Sequence, residues 1–175
     1  MNTPNGTRST GLPGLDDAIG AGASNNGQSQ TYRRILVATD FSCRAACAFR
    51  QGVLLARQNG AELLVAHVTP SPATISFMPA ESFCAWQEFC KGEAEQNIRA
   101  LVQKAREQGV KTHKVMLAGR AEHALLAAAE RLGVDLIVIG AHGHRGVSGF
   151  LAGNVAVQLI SHASCSVLTA REGRG

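Results

Sequence analysis

The chain has 175 residues, of which 45% are hydrophobic and 17% are charged, and its formal net charge at pH 7 is +4. This length suits one domain with a core of ordinary size, and no apolar stretch is long enough to span a membrane. The Lys and Arg residues are scattered, without the basic patch or interleaved aromatic residues of a nucleic-acid groove. We therefore expect neither a nucleic-acid nor a membrane partner.

The five cysteines form no Cys-x2-Cys pair and no regular framework. Reduced thiols in a cytoplasmic protein are the plain interpretation. Cys43 and Cys47 stand one helical turn apart, a spacing that holds a metal only with further ligands, and none is evident nearby. We expect structural roles for them.

The first 31 residues are rich in Gly, Asn, Ser and Thr and cannot bury enough apolar surface to offset their ordering entropy. They lack the basic start and apolar core of a secretion signal. We expect a flexible leader over 1–31, a domain over 32–171 and a short tail over 172–175. The alternative for the leader is a helix that docks through Leu12, Leu15 and Ile19.

The first predicted strand, Ile35–Thr39, is a short apolar run typical of a buried parallel strand. Ser42 is a good helix N-cap, and the apolar spacing after it predicts a helix that ends at Asn59. Asp40 therefore lies at the carboxyl end of a strand, where open α/β sheets place ligand contacts. The alternative is a turn or capping residue for the same helix.

The next strand, Glu62–Val68, completes a βαβ unit. Within it, His67 fits a hydrogen-bonded core histidine better than a ligand. The elements predicted after it are a helix over Ala80–Gln108, a weaker edge strand over Val110–Leu117 and a helix over Ala121–Leu132.

A strand over Leu136–Ile139, a loop with repeated glycines and a helix over Val155–His162 follow, and Cys165–Ala170 is the last strand. Strand, glycine-rich loop and helix is the order that serves a phosphate, because glycine permits close approach of the main chain and the first amides of a helix attract anions. A plain turn is the alternative. Five strands alternating with four helices predict a three-layer α/β domain.

The glycine loop resembles the nucleotide loop of the universal stress protein family. Gly140, Gly143 and Gly153 stand at the Gly-x2-Gly-x9-Gly spacing of that loop, and Asn154 stands where the family has Ser or Thr. The start Ile-Leu-Val-Ala-Thr-Asp-Phe-Ser, the His67–Val68 strand end and the final Ser-Val-Leu also look like family segments in family order.

The resemblance implies a parallel sheet ordered 3-2-1-4-5, of the adenine nucleotide alpha hydrolase-like kind, with a crevice between the first and fourth strands. Transferred position by position, it implies nucleoside contacts from Ala38, Thr39, Asp40 and the main chain of Val68, a floor of Ile139 and Gly140, and phosphate contacts from Gly143, Gly153, Asn154 and Val155. The implied cofactor is ATP, which Mg²⁺ would accompany.

His142, His144 and Arg145 lie in the same loop and would add positive charge near the phosphates. The alternative, a His-x-His metal site, has only two ligands, so no metal site is assigned.

The sequence shows no base, nucleophile elbow or paired carboxylates with an assignable role, so no catalytic residue is assigned. The resemblance implies an ATP-binding regulatory protein of the stress response, dimeric through the Cys165–Ala170 strand. The alternatives are a slow ATPase and a dimeric scaffold with an empty site.

Overall fold

The computed structural model describes residues 31–70, 80–141 and 154–171, with the backbone alone at 80–87 and 154. Residues 1–30 of the predicted leader and the predicted tail lie outside the described residues. The strands are β1 Arg34–Ala38, β2 Glu62–Thr69, β3 Thr112–Ala118, β4 Leu136–Gly140 and β5 Ser166–Ala170. The helices are α1 Cys43–Asn59, α2 Ala80–Glu107, α3 Ala121–Leu132 and α4 Asn154–His162.

All five strands run parallel in the order β3-β2-β1-β4-β5. This confirms the predicted sheet and its order. The chain winds from β1 to β2 and β3 on one side, then crosses to β4 and β5 on the other. The direction of winding therefore reverses between β1 and β4, which is where open α/β sheets bind ligands.

Local chemistry sets the limits of α1 and α3. The Ser42 hydroxyl accepts the amide hydrogen of Ala45 at 3.2 Å, which caps the start of α1. Gly60 and Gly133 close the two helices in the left-handed conformation, with φ of 63° and 60°. Both helices match their predicted limits because these caps can be read directly from the sequence.

The sheet has a buried core on each face. On the first face, α1 and α2 cover Ile35, Val37 and their neighbours, and on the second face, α3 and α4 cover Leu36 and Ile137. The packing on the first face is close, because a Cβ added to Gly52 would lie 2.2 Å from Val37 Cγ2. Two covered faces explain why the strands are continuous apolar runs.

The two edges of the sheet differ in charge. On β3, His113 and Lys114 are exposed, and Lys114 Nζ donates to both carboxylate oxygens of Glu95 at 2.8 and 2.6 Å. By contrast, β5 has no charged residue and exposes Leu168. Lysine is a common protection of an open edge, so only β3 carries that protection.

The α4 helix adds apolar surface near the β5 edge, because Val157 is 55% exposed and Ile160 is 58% exposed. In the sequence, Val155, Leu159 and Ile160 recur at helical spacing, which predicts a shared apolar face. Leu159 is fully buried, but successive helical residues point about 100° apart, so Ile160 faces outward. Within the described residues, no helix is both long and apolar enough to cross a membrane.

Hydrogen bonds close the amino end of β1. Asp135 Oδ2 accepts the amide hydrogens of Arg33 and Arg34 at 2.7 and 2.8 Å. The Asp135 amide donates to Arg34 O at 2.9 Å in return, and Arg34 Nη1 donates to Leu132 O at 2.8 Å. This reciprocal bonding fixes β4 beside β1 before the paired strands begin.

Candidate functional site

The central strand β1 is shorter than its neighbours at the carboxyl end. It pairs with β2 as far as Ala38 beside Ala66, and with β4 as far as Val37 beside Val138. The flanking strands continue to Thr69 and Gly140. The chain beyond Ala38 therefore turns away between two longer strands, and we call this position the notch.

The turn at the notch is held by its own side chains. Thr39 donates its amide hydrogen to Ala66 O at 2.9 Å, and its hydroxyl accepts the amide hydrogen of Phe41 at 3.0 Å. One carboxylate oxygen of Asp40 accepts the amide hydrogen of Ser42 at 3.0 Å. Asp40 thus has the turn role given as its alternative, yet its side chain is exposed and a carboxylate offers about four acceptor positions.

His67 connects β2 to this turn. Its Nδ1 lies 2.8 Å from Thr39 O, and its ring stacks on Phe41 with centroids 4.5 Å apart and planes at 29°. The prediction of a hydrogen-bonded histidine is confirmed, although the side chain is half-buried and not deep in the core. Sequence reasoning missed Phe41, because the stacking partner lies 26 positions away and no local pattern marks it.

Four predicted site residues belong to the apolar cluster on the second face of the sheet, three from strands and one from α4: Ala38, Val68, Ile139 and Val155. On this face, the side chains become more exposed toward the carboxyl ends of the strands. On β4, Ile137 is fully buried whereas Ile139 is half-buried, and on β2 the change occurs between Ala66 and Val68. The carboxyl end therefore presents partly exposed apolar side chains beside the Asp40 turn, a combination suited to a ligand with an apolar ring and polar substituents.

Close packing against α1 explains why residue 140 is a glycine, and the sequence alone did not show this. A Cβ at this position would lie 3.0 Å from both the carbonyl carbon and the carbonyl oxygen of Arg44, and 3.3 Å from the Ala45 nitrogen. The first turn of α1 thus rests on the end of β4. The contact joins the floor proposed for a nucleoside to the helix that follows Asp40.

The remaining predicted residues belong to the glycine loop. His142, Gly143, His144, Arg145 and Gly153 lie outside the described residues, and Asn154 begins α4 with its side chain not described. Among the side chains that the structure describes, no three His, Cys, Asp or Glu residues come together as a metal site.

Similarity to known proteins agrees with this geometry. The family model described as the universal stress protein family matches residues 31–171. The chain belongs to the universal stress protein family. The match spans every strand and helix of the sheet domain, and it confirms the family resemblance read from the sequence.

Individual members of the family show the same relationship. The universal stress protein MJ0531 of Methanocaldococcus jannaschii is 31% identical over 150 residues, covering 84% of this chain and 86% of that protein. The structure of universal stress protein UspA from Lactobacillus plantarum matches with a TM-score of 0.72 at 24% identity, covering 80% of this chain and 98% of the other.

A further family structure, from Archaeoglobus fulgidus, is a complex with dAMP. It matches with a TM-score of 0.58 at 23% identity and covers 81% of this chain and 99% of that one. At this identity, the match shows a shared fold.

Proposed function

We propose that this chain is a cytoplasmic stress-response regulator that binds an adenine nucleotide, ATP in the first place, at the notch. The observation that supports it most is that partly exposed apolar side chains and an exposed carboxylate lie at the carboxyl ends of neighbouring strands. Val68 and Ile139 offer a surface for a base, and Asp40 offers acceptors for a ribose hydroxyl or an adenine amino group. The notch also lies at the winding reversal, which favours the same place.

In this proposal, the nucleoside lies against the ends of β1, β2 and β4. Ala38, Thr39 and Asp40 line it, the Val68 main chain meets the base, and Ile139 and Gly140 lie beneath. The close contact of Gly140 with α1 supports a fixed floor, because β4 and the helix after Asp40 keep their separation.

The phosphates would lie on the glycine loop and the start of α4. Gly143 and Gly153 would allow the main chain to approach, and Asn154 and Val155 would offer the amides that an α-helix leaves unpaired at its start. His142, His144 and Arg145 would add positive charge, and Mg²⁺ would accompany a triphosphate. The dAMP complex of the Archaeoglobus fulgidus relative supports an adenine nucleotide as the ligand class.

Isothermal titration calorimetry with ATP and Mg²⁺ tests the proposal. We expect the wild type to bind, and Asp40→Asn to weaken binding by roughly tenfold, because a charged hydrogen-bond acceptor is lost while the turn bond to Ser42 remains possible. Glu130→Gln on the exposed surface of α3 is the matched control and should bind as the wild type does. Absence of heat from the wild type would end the proposal.

A second variant tests the effect of Asn154, which stands where the family motif has Ser or Thr. Asn154→Ser restores the residue type of the family motif, and we expect ATP affinity to rise while AMP affinity stays the same, since the smaller side chain leaves more room for the outer phosphates. Equal affinities of both proteins for ATP would show that residue 154 does not select the phosphate length.

Native mass spectrometry of the purified protein distinguishes binding from turnover. Retained ATP is the expected result for a regulator. Retained ADP or AMP would indicate a slow ATPase, and a chain without nucleotide that also fails to bind ATP would indicate a scaffold with an empty site.

We further propose that two copies pair through their β5 strands. The edge is uncharged, and Leu168, Val157 and Ile160 leave apolar surface beside it. An open apolar edge is a template for another strand, and a two-fold axis at β5 would extend the sheet continuously from one chain into the other.

The direction of the β5 amides provides a sharp test. Ser166 donates to Asp135 O at 3.3 Å and Ala170 O accepts from Ala141, so the alternation turns the amide of Thr169 outward. Thr169→Pro removes an outward donor, and light scattering should then give about 18.3 kDa, the mass of one chain, instead of twice that mass.

Lys114→Pro is the matched control for this test. On β3, Gly119 donates to Thr69 O and Lys111 O accepts from Leu63, so the same alternation turns the Lys114 amide outward at the opposite edge. This variant should remain a dimer. A folded Thr169→Pro protein that keeps the mass of two chains would contradict pairing at β5.

A further inference from the structure

We propose that His67 and Phe41 form a clamp that positions the Asp40 carboxylate for the nucleoside. This inference rests on the proposed nucleotide function and assigns a role to two residues that are not themselves proposed to touch the ligand. They come from different parts of the sheet, since His67 lies on β2 and Phe41 belongs to the turn that follows β1.

The hydrogen bond fixes the tautomer of His67. Its Nδ1 lies 2.8 Å from Thr39 O, and a carbonyl oxygen only accepts, so Nδ1 carries the hydrogen. In the neutral ring, Nε2 is then an acceptor. The imidazole therefore holds the carbonyl of the residue directly before Asp40 in one direction.

Phe41 holds the other side of Asp40 in an uncommon conformation. Its φ is 61°, in the left-handed region that residues with a side chain rarely adopt, and within the described residues it is the single non-glycine residue with positive φ. Two contacts support that conformation. Its amide donates to Thr39 Oγ1 at 3.0 Å, and its ring stacks on His67 at 4.5 Å. Observed strain of this kind is a reason to look for function.

Together these contacts form a closed circuit. Thr39 binds His67 through its carbonyl and Phe41 through its hydroxyl, and the two rings contact each other. Asp40 is the one residue between the two held positions. The circuit therefore fixes the backbone on both sides of this carboxylate before any ligand arrives, and preorganised groups bind with a smaller loss of conformational freedom.

Three variants separate the parts of the clamp. His67→Phe keeps a ring that can stack but removes the Nδ1 donor, Phe41→Gly removes the ring but suits a positive φ, and Phe41→Tyr keeps both the ring and the backbone bond. In His67→Phe and in Phe41→Gly, we expect the affinity for ATP to fall by roughly fivefold to tenfold. This is the size of effect expected when one hydrogen bond is lost. Phe41→Tyr should bind as the wild type does.

The Phe41 ring also packs against the core on the first face of the sheet, so the thermal midpoint of Phe41→Gly should fall together with its affinity. Phe41→Tyr keeps the ring, so its thermal midpoint should stay at the wild-type value. His113→Phe, at an exposed position of the β3 edge, is the matched control for the histidine variant and should change neither quantity.

A double-mutant cycle decides whether the clamp acts through Asp40. His67→Phe, Asp40→Asn and the double variant are titrated with ATP. If the clamp serves the carboxylate, His67→Phe should cost little affinity once Asp40 is Asn, so the two effects will not add. Additive effects, or a His67→Phe protein with wild-type affinity, would overturn the clamp while leaving nucleotide binding intact. If the wild type does not bind ATP, both proposals are wrong. The wild-type titration alone therefore separates failure of the nucleotide proposal from failure of the clamp proposal.

Discussion

At the amino end of β1, the Asp135 carboxylate accepts the amides of Arg33 and Arg34, whereas at the carboxyl end Asp40 accepts the amide of Ser42 and its side chain is exposed. Both carboxylates thus serve the backbone next to the same strand. The first is committed to joining β4 to β1. The second holds a local turn at an exposed position, so we expect the amino end to govern stability and the carboxyl end to govern ligand binding.

The largest expected effect is at the amino end. Asp135→Ala removes the acceptor for the amides of Arg33 and Arg34, and we expect the free energy of unfolding to fall by about 2 to 4 kcal/mol. Urea denaturation followed by circular dichroism measures this change. Asp40→Asn, at the other end, should change stability by less than about 0.5 kcal/mol. Equal losses in the two variants would remove the contrast between the ends.

Gly140→Ala tests the carboxyl end by packing. The new Cβ would lie 3.0 Å from Arg44 backbone atoms, so α1 must shift, and we expect a loss of about 1 to 3 kcal/mol together with weaker nucleotide binding. Gly92→Ala is the control, because nothing lies within 4 Å of its added Cβ and alanine favours a helix. That variant should be as stable as the wild type or more stable, with unchanged affinity.

The thiols at the two ends should differ in reactivity. Burial, together with the Asp135 carboxylate, raises the pKa of Cys165 near the amino end, so less of it is thiolate at mildly alkaline pH. Cys43 in the first turn of α1 is exposed. We expect iodoacetamide to modify Cys43 several-fold faster, as measured by peptide mass spectrometry. Asp135→Asn should accelerate the modification of Cys165 by iodoacetamide. An unchanged rate would contradict the influence of the Asp135 carboxylate on this thiol.

The smallest effect concerns Glu62 at the amino end. Its pKa is lowered below the ordinary value near 4.5 by a hydrogen bond and the charge of Lys111, with Arg34 contributing and desolvation opposing. A lowered pKa in the folded state means that this stabilisation is present above about pH 4.5 and is lost as the pH falls through the folded value.

Thermal unfolding of Glu62→Gln should therefore show a slightly lower midpoint than the wild type at neutral pH, with the two curves converging in acid. The effect should be small because the pair is exposed. If the difference between the two thermal midpoints grew as the pH fell, the ionised Glu62 carboxylate would not be the stabilising form, and the interpretation of this pair would be wrong.

The sequence predicts elements best where local chemistry defines them. Ser42, Gly60 and Gly133 cap helices whose limits match the prediction. β3 was predicted to start at Val110 but starts at Thr112, because the strand is defined by its pairing with β2 and Val110 instead anchors the end of α2 in the core. Pairing across the sheet is not encoded in the apolar pattern of one segment.

The candidate site was predictable in part for the same reason. Asp40 and the strand ends follow from element order, since parallel strands place their carboxyl ends together. The contact of Gly140 with Arg44 and the stack of Phe41 on His67 join positions far apart in the chain. No rule of spacing predicts a left-handed phenylalanine, which depends on support from a distant strand.

The charge difference between the two edges of the sheet would limit how many chains can join under the proposed pairing. A strand that added to β3 would meet Lys114 and its partner Glu95, while β5 offers an uncharged margin. In the proposed dimer, two β5 strands would meet across a symmetry axis, and both outer edges of the assembly would then be of the β3 type. Growth would stop there, so association through open strands would not lead to filaments.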